Sequence, residues 1–292
     1  MREIPASAIT DTVAALCVKA CTDLPEDVRE RIRDCRQAET WPTAQDILDV
    51  IIENYETNGT IPLCQDTGMA CVFLEVGQEV HITGGGLYDA VHAGVAKGYT
   101  DGLLRKSVVG DPLERVNTGD NTPAVIYTDI VPGDKLTITV APKGFGSENM
   151  SRVAMLKPAD GVEGVKKFVL ETVEAAGPNA CPPMTIGVGI GGTFDKAALL
   201  AKKALLRDMD RHNPNPYYAA LETELLDAVN ALGIGPQGLG GRTTALSLAI
   251  ETMATHIAGL PCAVNINCHS ARHASFHRSA CGRRPGRCRW YR

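Results

Sequence analysis

The stretch Gly177-Pro178-Asn179-Ala180-Cys181-Pro182-Pro183-Met184-Thr185-Ile186-Gly187-Val188-Gly189-Ile190-Gly191-Gly192 decides how this chain is read. Residues 184–188 form a short apolar run that reads as a strand, and residues 194–206 carry helical spacing. Between them Gly187, Gly189 and Gly192 match G-x-G-x-x-G, with Asp208 roughly twenty residues further on. A dinucleotide site needs that acid at the end of a second strand. Here Asp208 runs into Met209-Asp210-Arg211-His212-Asn213-Pro214-Asn215-Pro216, a loop. The glycines read better as a strand-to-helix turn where backbone comes close to another element.

Just before that strand, Cys181 stands in a turn of Gly, Pro and Asn. Two other cysteines have comparable settings. Cys64 lies in Pro62-Leu63-Cys64-Gln65-Asp66-Thr67-Gly68, and Cys268 in Asn265-Ile266-Asn267-Cys268-His269-Ser270-Ala271-Arg272-His273. Three thiolates presented from separate loops suit a soft metal centre with one coordination position left for a substrate. Of the ten cysteines, Cys17, Cys21, Cys35, Cys71 and Cys262 fall on apolar or helical patterns and are expected to behave as small core hydrophobes. Cys281 and Cys288 belong to an unusual basic tail and are not counted as ligands.

Working outward, residues 1–58 read as helices: one over 6–21, a second starting at the acids Glu26 and Asp27, and a third from Thr43 to Asn58-Gly59. Strands are expected at 70–76, 123–130, 135–141, 184–188 and 262–266, with 123–130 and 135–141 joined by the turn Val131-Pro132-Gly133-Asp134. Helices are expected at 87–98, 161–176, 194–206, 217–232 and 243–256. The fold class is α+β, an N-terminal helical segment followed by a mixed sheet with surrounding helices. Length alone allows one large domain or two small ones; residues 1–275 are expected to form a single domain and 276–292 a disordered tail.

Composition narrows the function. The chain has 292 residues, 44% of them hydrophobic, with a net charge of -5 and only 5% aromatics. That balance argues against nucleic acid as a partner. Gly, Pro or charge interrupts every apolar stretch, so no membrane span is expected. The N-terminus lacks a signal-peptide core, and ten cysteines without a secretory context fit a reducing cytoplasm. Residues 277–292 hold six arginines and no acid, so two readings of the tail stay open: a frameshifted end, or a basic interaction segment.

The polar motifs each have two readings. Lys143-Gly144-Phe145-Gly146-Ser147-Glu148-Asn149 offers donors and close backbone approach to a carboxylate, or is a strand-ending turn. Gly235-Pro236-Gln237-Gly238-Leu239-Gly240-Gly241-Arg242-Thr243-Thr244 is expected to open a helix whose N-terminus could hold an anion, or to be a plain connection. Arg105 could fork onto a substrate carboxylate, or be a surface residue. Asn117-Thr118-Gly119-Asp120-Asn121-Thr122-Pro123 reads as a capped loop. His269 and His273, four apart, would share one helix face as a zinc pair, although no Cys-x-x-Cys supports such a site.

Taken together, the segments 62–68, 143–149, 177–183 and 267–273 resemble the α-type catalytic domain of the iron–sulfur hydro-lyases, the class I fumarate hydratase and L-tartrate dehydratase family. The resemblance covers residues 5–275. It implies a [4Fe-4S] cluster held by Cys64, Cys181 and Cys268, with one iron lacking a protein ligand and acting as a Lewis acid on the substrate. It implies substrate contacts from Gln65, Arg105 and the Gly146 loop, and proton transfer involving Asp66. The reaction implied is the tricarboxylic-acid-cycle interconversion of (S)-malate and fumarate, with L-tartrate dehydration as the alternative. A non-catalytic iron–sulfur scaffold or electron carrier is the reading of another class. The resemblance also implies a heteromer in which a separate β-type subunit completes the active site around a small dicarboxylate.

Overall fold

Strand β1 (Arg2–Pro5) and helices α1 (Ala6–Thr22), α2 (Glu26–Ala38) and α3 (Pro42–Thr57) open the chain. The structure is a computed structural model and describes residues 2–57 and 59–278. Next come β2 (Met69–Gly77), β3 (Val80–Thr83), α4 (Leu87–Asp101), β4 (Val125–Val131), β5 (Leu136–Lys143), the single turn α5 (Phe145–Glu148) and β6 (Arg152–Leu156). The remainder is α6 (Gly161–Ala176), β7 (Met184–Gly191), α7 (Phe194–Ala204), α8 (Pro216–Ala231), β8 (Ala245–Met253), β9 (Leu260–Asn267) and β10 (Ala274–Arg278). The α+β class and the helical front are as expected, and the sheet content divides into two four-stranded mixed sheets beside a two-stranded β1–β3 ribbon. Among the described residues no helix is long and apolar enough to cross a membrane.

The chain folds as two units. Of the described residues, the first gathers 2–23, 60–143 and 272–278. Its sheet runs β10-β5-β2-β4, with β2 parallel to β4 and antiparallel to β5. Val72 and Leu74 of β2 and Ile138 and Val140 of β5 share a core with Val13 and Leu16 of α1 and Val91, Val95 and Tyr99 of α4. Each such fully buried aliphatic side chain contributes about 1.5–3 kcal/mol. Helices α1 and α4 touch backbone to backbone: a Cβ on Gly94 would lie 2.7 Å from the Thr10 carbonyl oxygen.

The second unit comprises Leu24–Gly59 and Gly144–Ala271. Its sheet runs β6-β9-β7-β8, with β7 parallel to β8 and antiparallel to β9. Here the glycines of the opening stretch find their use. A Cβ on Gly187 would lie 2.0 Å from the Ala201 carbonyl oxygen, and one on Gly189 2.0 Å from that of Ala197. Strand β7 is therefore bare where α7 packs on it, which is the close approach read from the sequence.

Three expectations change. Residues 243–256 do not form a helix: Ala245–Met253 is strand β8. Leu246, Leu248 and Ile250 are buried and alternate with less buried Ser247, Ala249 and Glu251. That period of two suits a strand, and parallel pairing with β7 outweighs the Ala and Leu helix propensity. The strands around Val131-Pro132-Gly133-Asp134 are not a hairpin, because β2 lies between β4 and β5. The turn instead wraps the end of β2: the Gln78 N–H donates to the Val131 carbonyl at 2.8 Å and that of Gly77 to Lys135 at 2.8 Å. Finally, the boundary drawn at 275/276 falls inside β10, which pairs antiparallel with β5 through Arg278. Ala274 is buried and Ser275 exposed, and the Ser275 and Thr139 hydroxyls meet at 2.8 Å. The edge of β5 thus orders the first residues of the expected tail, and 279–292 lie outside the described residues.

Candidate active site

In the first unit the expected residues Cys64, Gln65 and Asp66 share one loop ahead of β2. This loop has almost no regular structure of its own and is held by side chains reaching in from the core. The Leu63 N–H donates to the Cys21 carbonyl at 2.9 Å. The Asp66 carboxylate accepts the Gly68 N–H at 3.0 Å, closing a tight turn. The Tyr99 hydroxyl donates toward the Thr67 and Gly68 carbonyls at 2.7 and 3.1 Å. Gly68, at φ 74°, lies so close to Lys143 that a Cβ would come within 2.8 Å of its backbone. The loop is therefore rigid beneath, while Gln65 is exposed and Cys64 and Asp66 are half-buried.

Arg105 joins this group through its backbone, since its carbonyl accepts the Thr67 hydroxyl at 2.8 Å. Its side chain is exposed. The capped loop 117–123 contributes Asn121, fully buried, whose amide oxygen accepts the Ser107 N–H at 2.7 Å and whose amide nitrogen donates to the Gly68 carbonyl at 3.1 Å. Asn121 thereby ties the Arg105 segment to the Cys64 loop. Its sequence signal was an Asn within a polar turn, which looks like any other capped loop until its partners are known.

The sequence reading also passed over Arg272. It is only 5% exposed. One guanidinium nitrogen, Nη2, donates to the Asp66 carbonyl. The other, Nη1, is buried with no hydrogen-bond partner. Its charge is felt by the neighbouring thiol: burial pushes Cys21 up to about 11, against the pull of Arg272.

In the second unit, Cys181 follows a short 3-10 turn, Gly177–Ala180, and takes a left-handed conformation with φ 50° and ψ 63°. That backbone is uncommon for a residue with a Cβ and persists only where the surrounding structure holds it. The turn is tied down on two sides. The His269 N–H donates to the Cys181 carbonyl at 3.2 Å, which places the residue after Cys268 against it. Gln237 grips the next carbonyl, Pro182, with its backbone N–H at 2.8 Å and its side-chain amide at 3.0 Å. Gly146 belongs to the same group, because a Cβ there would stand 3.6 Å from the Asn179 carbonyl oxygen. Its segment is anchored by Glu148, which accepts from Lys202 at 2.6 Å and from Asn265 at 2.7 Å. The second unit thus brings together Gly146, Cys181 and Cys268.

Two other readings are corrected. Residues 268–273 are not helical, so His269 and His273 share no helix face and the zinc pair loses its geometry. The loop at 235–244 leads into a strand, so it offers no helix N-terminus to an anion. It does hold an acid, but an internal one. The buried Glu39 carboxylate accepts the Arg242 N–H at 2.7 Å, that of Thr40 at 2.8 Å and that of Trp41 at 3.0 Å. Burial works to raise its pKa, but these donors and the Thr243 N–H together outweigh it and hold the carboxyl below its usual range.

Donor chemistry separates the cysteines. Cys17, Cys21, Cys71 and Cys262 are buried. Burial pushes the Cys17 thiol up and that of Cys262 up to about 12. Such thiols are poor ligands and nucleophiles. Cys35 is half-buried on α2, and burial raises its thiol too. Cys181 is exposed, and Cys64 and Cys268 are half-exposed on loops. Among the described residues no three His, Cys, Asp or Glu side chains are gathered as a single metal ion requires. An iron–sulfur cluster spreads its thiolates over separate irons and does not ask for that convergence. Three accessible thiols, with a buried unpaired guanidinium nitrogen beneath one of their loops, fit such a group in kind.

The family model described as fumarate hydratase (Fumerase) matches residues 10–277. The chain belongs to this family. A protein of Methanocaldococcus jannaschii with the provisional name L(+)-tartrate dehydratase subunit alpha is 42% identical over 274 residues, 91% of this chain and 96% of its own. The L(+)-tartrate dehydratase subunit alpha of Escherichia coli strain UTI89 is 35% identical over 275 residues, 92% of this chain and 90% of its own. That of Shigella sonnei strain Ss046 is 34% identical over 274 residues. The hydro-lyase class, the coarse part of the sequence reading, is the class of the fumarate hydratase family and of these named relatives.

Proposed function

We propose that this chain is the α subunit of an iron–sulfur hydro-lyase that interconverts (S)-malate and fumarate. The observation that carries the reading is the division of the cysteines: among the described residues the thiols outside the core are, Cys35 apart, those of the three loops. In this proposal Cys64, Cys181 and Cys268 hold a [4Fe-4S] cluster. A cluster so held supplies a Lewis-acidic iron without a protein ligand for the substrate hydroxyl. Exposed Arg105 and Gln65 bind and orient the dicarboxylate, the first through a two-pronged charge-assisted contact. Backbone donors around Gly146 receive carboxylate charge. In the malate direction the C–H bond beside one carboxylate breaks, its proton passing to a base and its electron pair forming the double bond, while the neighbouring C–O bond breaks with its pair on the hydroxyl oxygen, which takes up a proton and leaves as water. Charge that builds on the carboxylate needs fixed donors, which the rigid loops provide. Asp66, half-buried beside Cys64, takes part in moving that proton.

The proposal places the chain in a reducing cytoplasmic setting, with a separate β-type subunit completing the active site. The relatives' names as subunits support the need for a partner. Those same names favour a second reading, L-tartrate dehydration, which uses the same chemistry on a substrate with one more hydroxyl. The test is anaerobic co-expression with a β-type subunit, followed by assays of fumarate hydration and L-tartrate dehydration. Fumarate hydration with kcat/KM at least tenfold above tartrate dehydration is expected, and the reverse ratio assigns the second reading. Little turnover is expected from the chain alone. Replacing any of Cys64, Cys181 or Cys268 by Ser abolishes iron binding and activity, and a Ser variant that keeps both removes that residue from the ligand set.

A further inference from the structure

Arg272 presents an electrostatic problem that the first unit does not solve by itself. A buried guanidinium is costly unless it is paired. Arg272 makes one bond, to a neutral carbonyl, and leaves Nη1 buried and unpartnered. Among the described residues no carboxylate pairs with it. Asp66 contributes its backbone here, and its carboxylate caps Gly68. The other neighbours, Cys21 and Tyr99, are buried, and burial holds both in their neutral forms. The charge of the Asp66 carboxylate also reaches Cys21, but that carboxylate forms no close ion pair with Arg272, which leaves the guanidinium open to a counter-charge from something that binds.

Two anions could supply it, and burial decides between them. A substrate carboxylate reaches exposed groups such as Gln65 and Arg105, whereas Arg272 is 5% exposed and its charge is felt by the buried Cys21 and Tyr99. Its bond to the loop falls two residues from Cys64. We propose that Arg272 is a positioning residue whose buried, unbalanced guanidinium is the counter-charge for the anionic thiolate-ligated cluster at Cys64. This rests on the cluster reading above. Net charge around a cluster and hydrogen bonding near its ligands set both its retention and its potential. A fixed cation there favours the more negative, reduced state and holds the cluster against loss.

The test uses the full chain, reconstituted anaerobically, as wild type, R272Q and R272K. Gln keeps a donor for the Asp66 carbonyl and removes the charge, while Lys keeps the charge and loses the fork. Three quantities are read: iron and sulfide retained under a chelator, the midpoint potential of the cluster by EPR, and the melting temperature of the metal-free chain. In R272Q the rate of iron loss rises at least tenfold and the midpoint moves to more negative potential. R272K stays within about threefold of wild type in iron loss. Metal-free R272Q melts at or above wild type, because it no longer buries an unbalanced charge.

Unchanged iron retention and potential in R272Q, with a cluster present in wild type, overturns this inference alone. Metal-free R272Q that melts well below wild type also overturns it, by making Arg272 a strut of the fold. If R272Q does not fold, R272K decides, and a tenfold faster iron loss in it overturns the counter-charge. A wild-type chain that takes up no cluster overturns the cluster reading together with this inference.

Discussion

The two units have sheets of the same pattern, and Arg272 in the first is treated differently from the buried acids of the second. In each, a central strand (β2 or β7) has a parallel neighbour on one side and an antiparallel one on the other, with a further antiparallel strand beyond that. In the second unit the buried acids are answered from within. Glu39 collects backbone N–H groups, and Glu222 pairs with Arg207 while accepting the Ile250 N–H at 2.7 Å and that of Asn213 at 2.9 Å. In the first unit Arg272 is buried without a carboxylate. The second unit's charges read as architecture, complete without a ligand. In the first unit it is the charge of Arg272 that reads as one half of an interaction.

The sharpest way to break this contrast is to strip one acid from the buried cation of the second unit. Glu222→Ala removes the more buried of the two carboxylates paired with Arg207, whose side chain is 10% exposed. Glu251 still reaches it at 2.6 Å, yet two backbone donors are also orphaned. A loss of about 3–5 kcal/mol in denaturant unfolding is expected. A loss under about 1 kcal/mol would mean that buried charge is cheap in this protein, and the contrast with Arg272 would lose its force.

The units also differ in where close packing is placed, on a strand in one and on a helix in the other. Gly189→Ala drives a Cβ to 2.0 Å from the Ala197 carbonyl oxygen, and about 3 kcal/mol of destabilisation is expected as α7 is pushed from the sheet. Gly94→Ala meets the Thr10 carbonyl at 2.7 Å and gains about 1 kcal/mol of helix propensity, so its net cost is smaller. Equal shifts in melting temperature would erase this distinction.

The smallest expected effect tests Glu39. Its folded-state pKa is depressed by the backbone donors that outweigh its burial. Its stabilisation is therefore full above the unfolded pKa of about 4.3 and is lost as pH falls through the folded value. Glu39→Gln is expected to cost about 2 kcal/mol at neutral pH, and the gap in melting temperature should close in acid. A gap that stays constant with pH would show that the carboxylate charge contributes nothing.

Much of this was legible from residue order, for local reasons. Helix α6 follows from its apolar spacing and from Gly177, at φ 48°, which ends it. The glycines of β7 announced a close approach because only a missing Cβ allows one. The three loop cysteines stood out because Gly, Pro and Asn surround them. Less legible was anything set by partners distant in sequence. Residues 245–253 are Ala- and Leu-rich and became a strand because β7 was there to pair with. The turn at 131–134 joins strands that β2 keeps apart. Asn121 and Arg272 looked ordinary until their burial was known.

The sequence by itself determined the local grammar: which segments turn, which pack, and which thiols sit outside the core. Those properties depend on the φ preferences, side-chain volume and spacing of neighbouring residues. The tertiary structure alone decided which strands adjoin, that the Arg242 and Thr243 N–H groups are taken by Glu39, and that Arg272 is buried beneath the Cys64 loop with no ion-paired acid among the described residues. Burial and charge balance are sums over groups far apart in the chain, and they take a value only when the fold has brought those groups together.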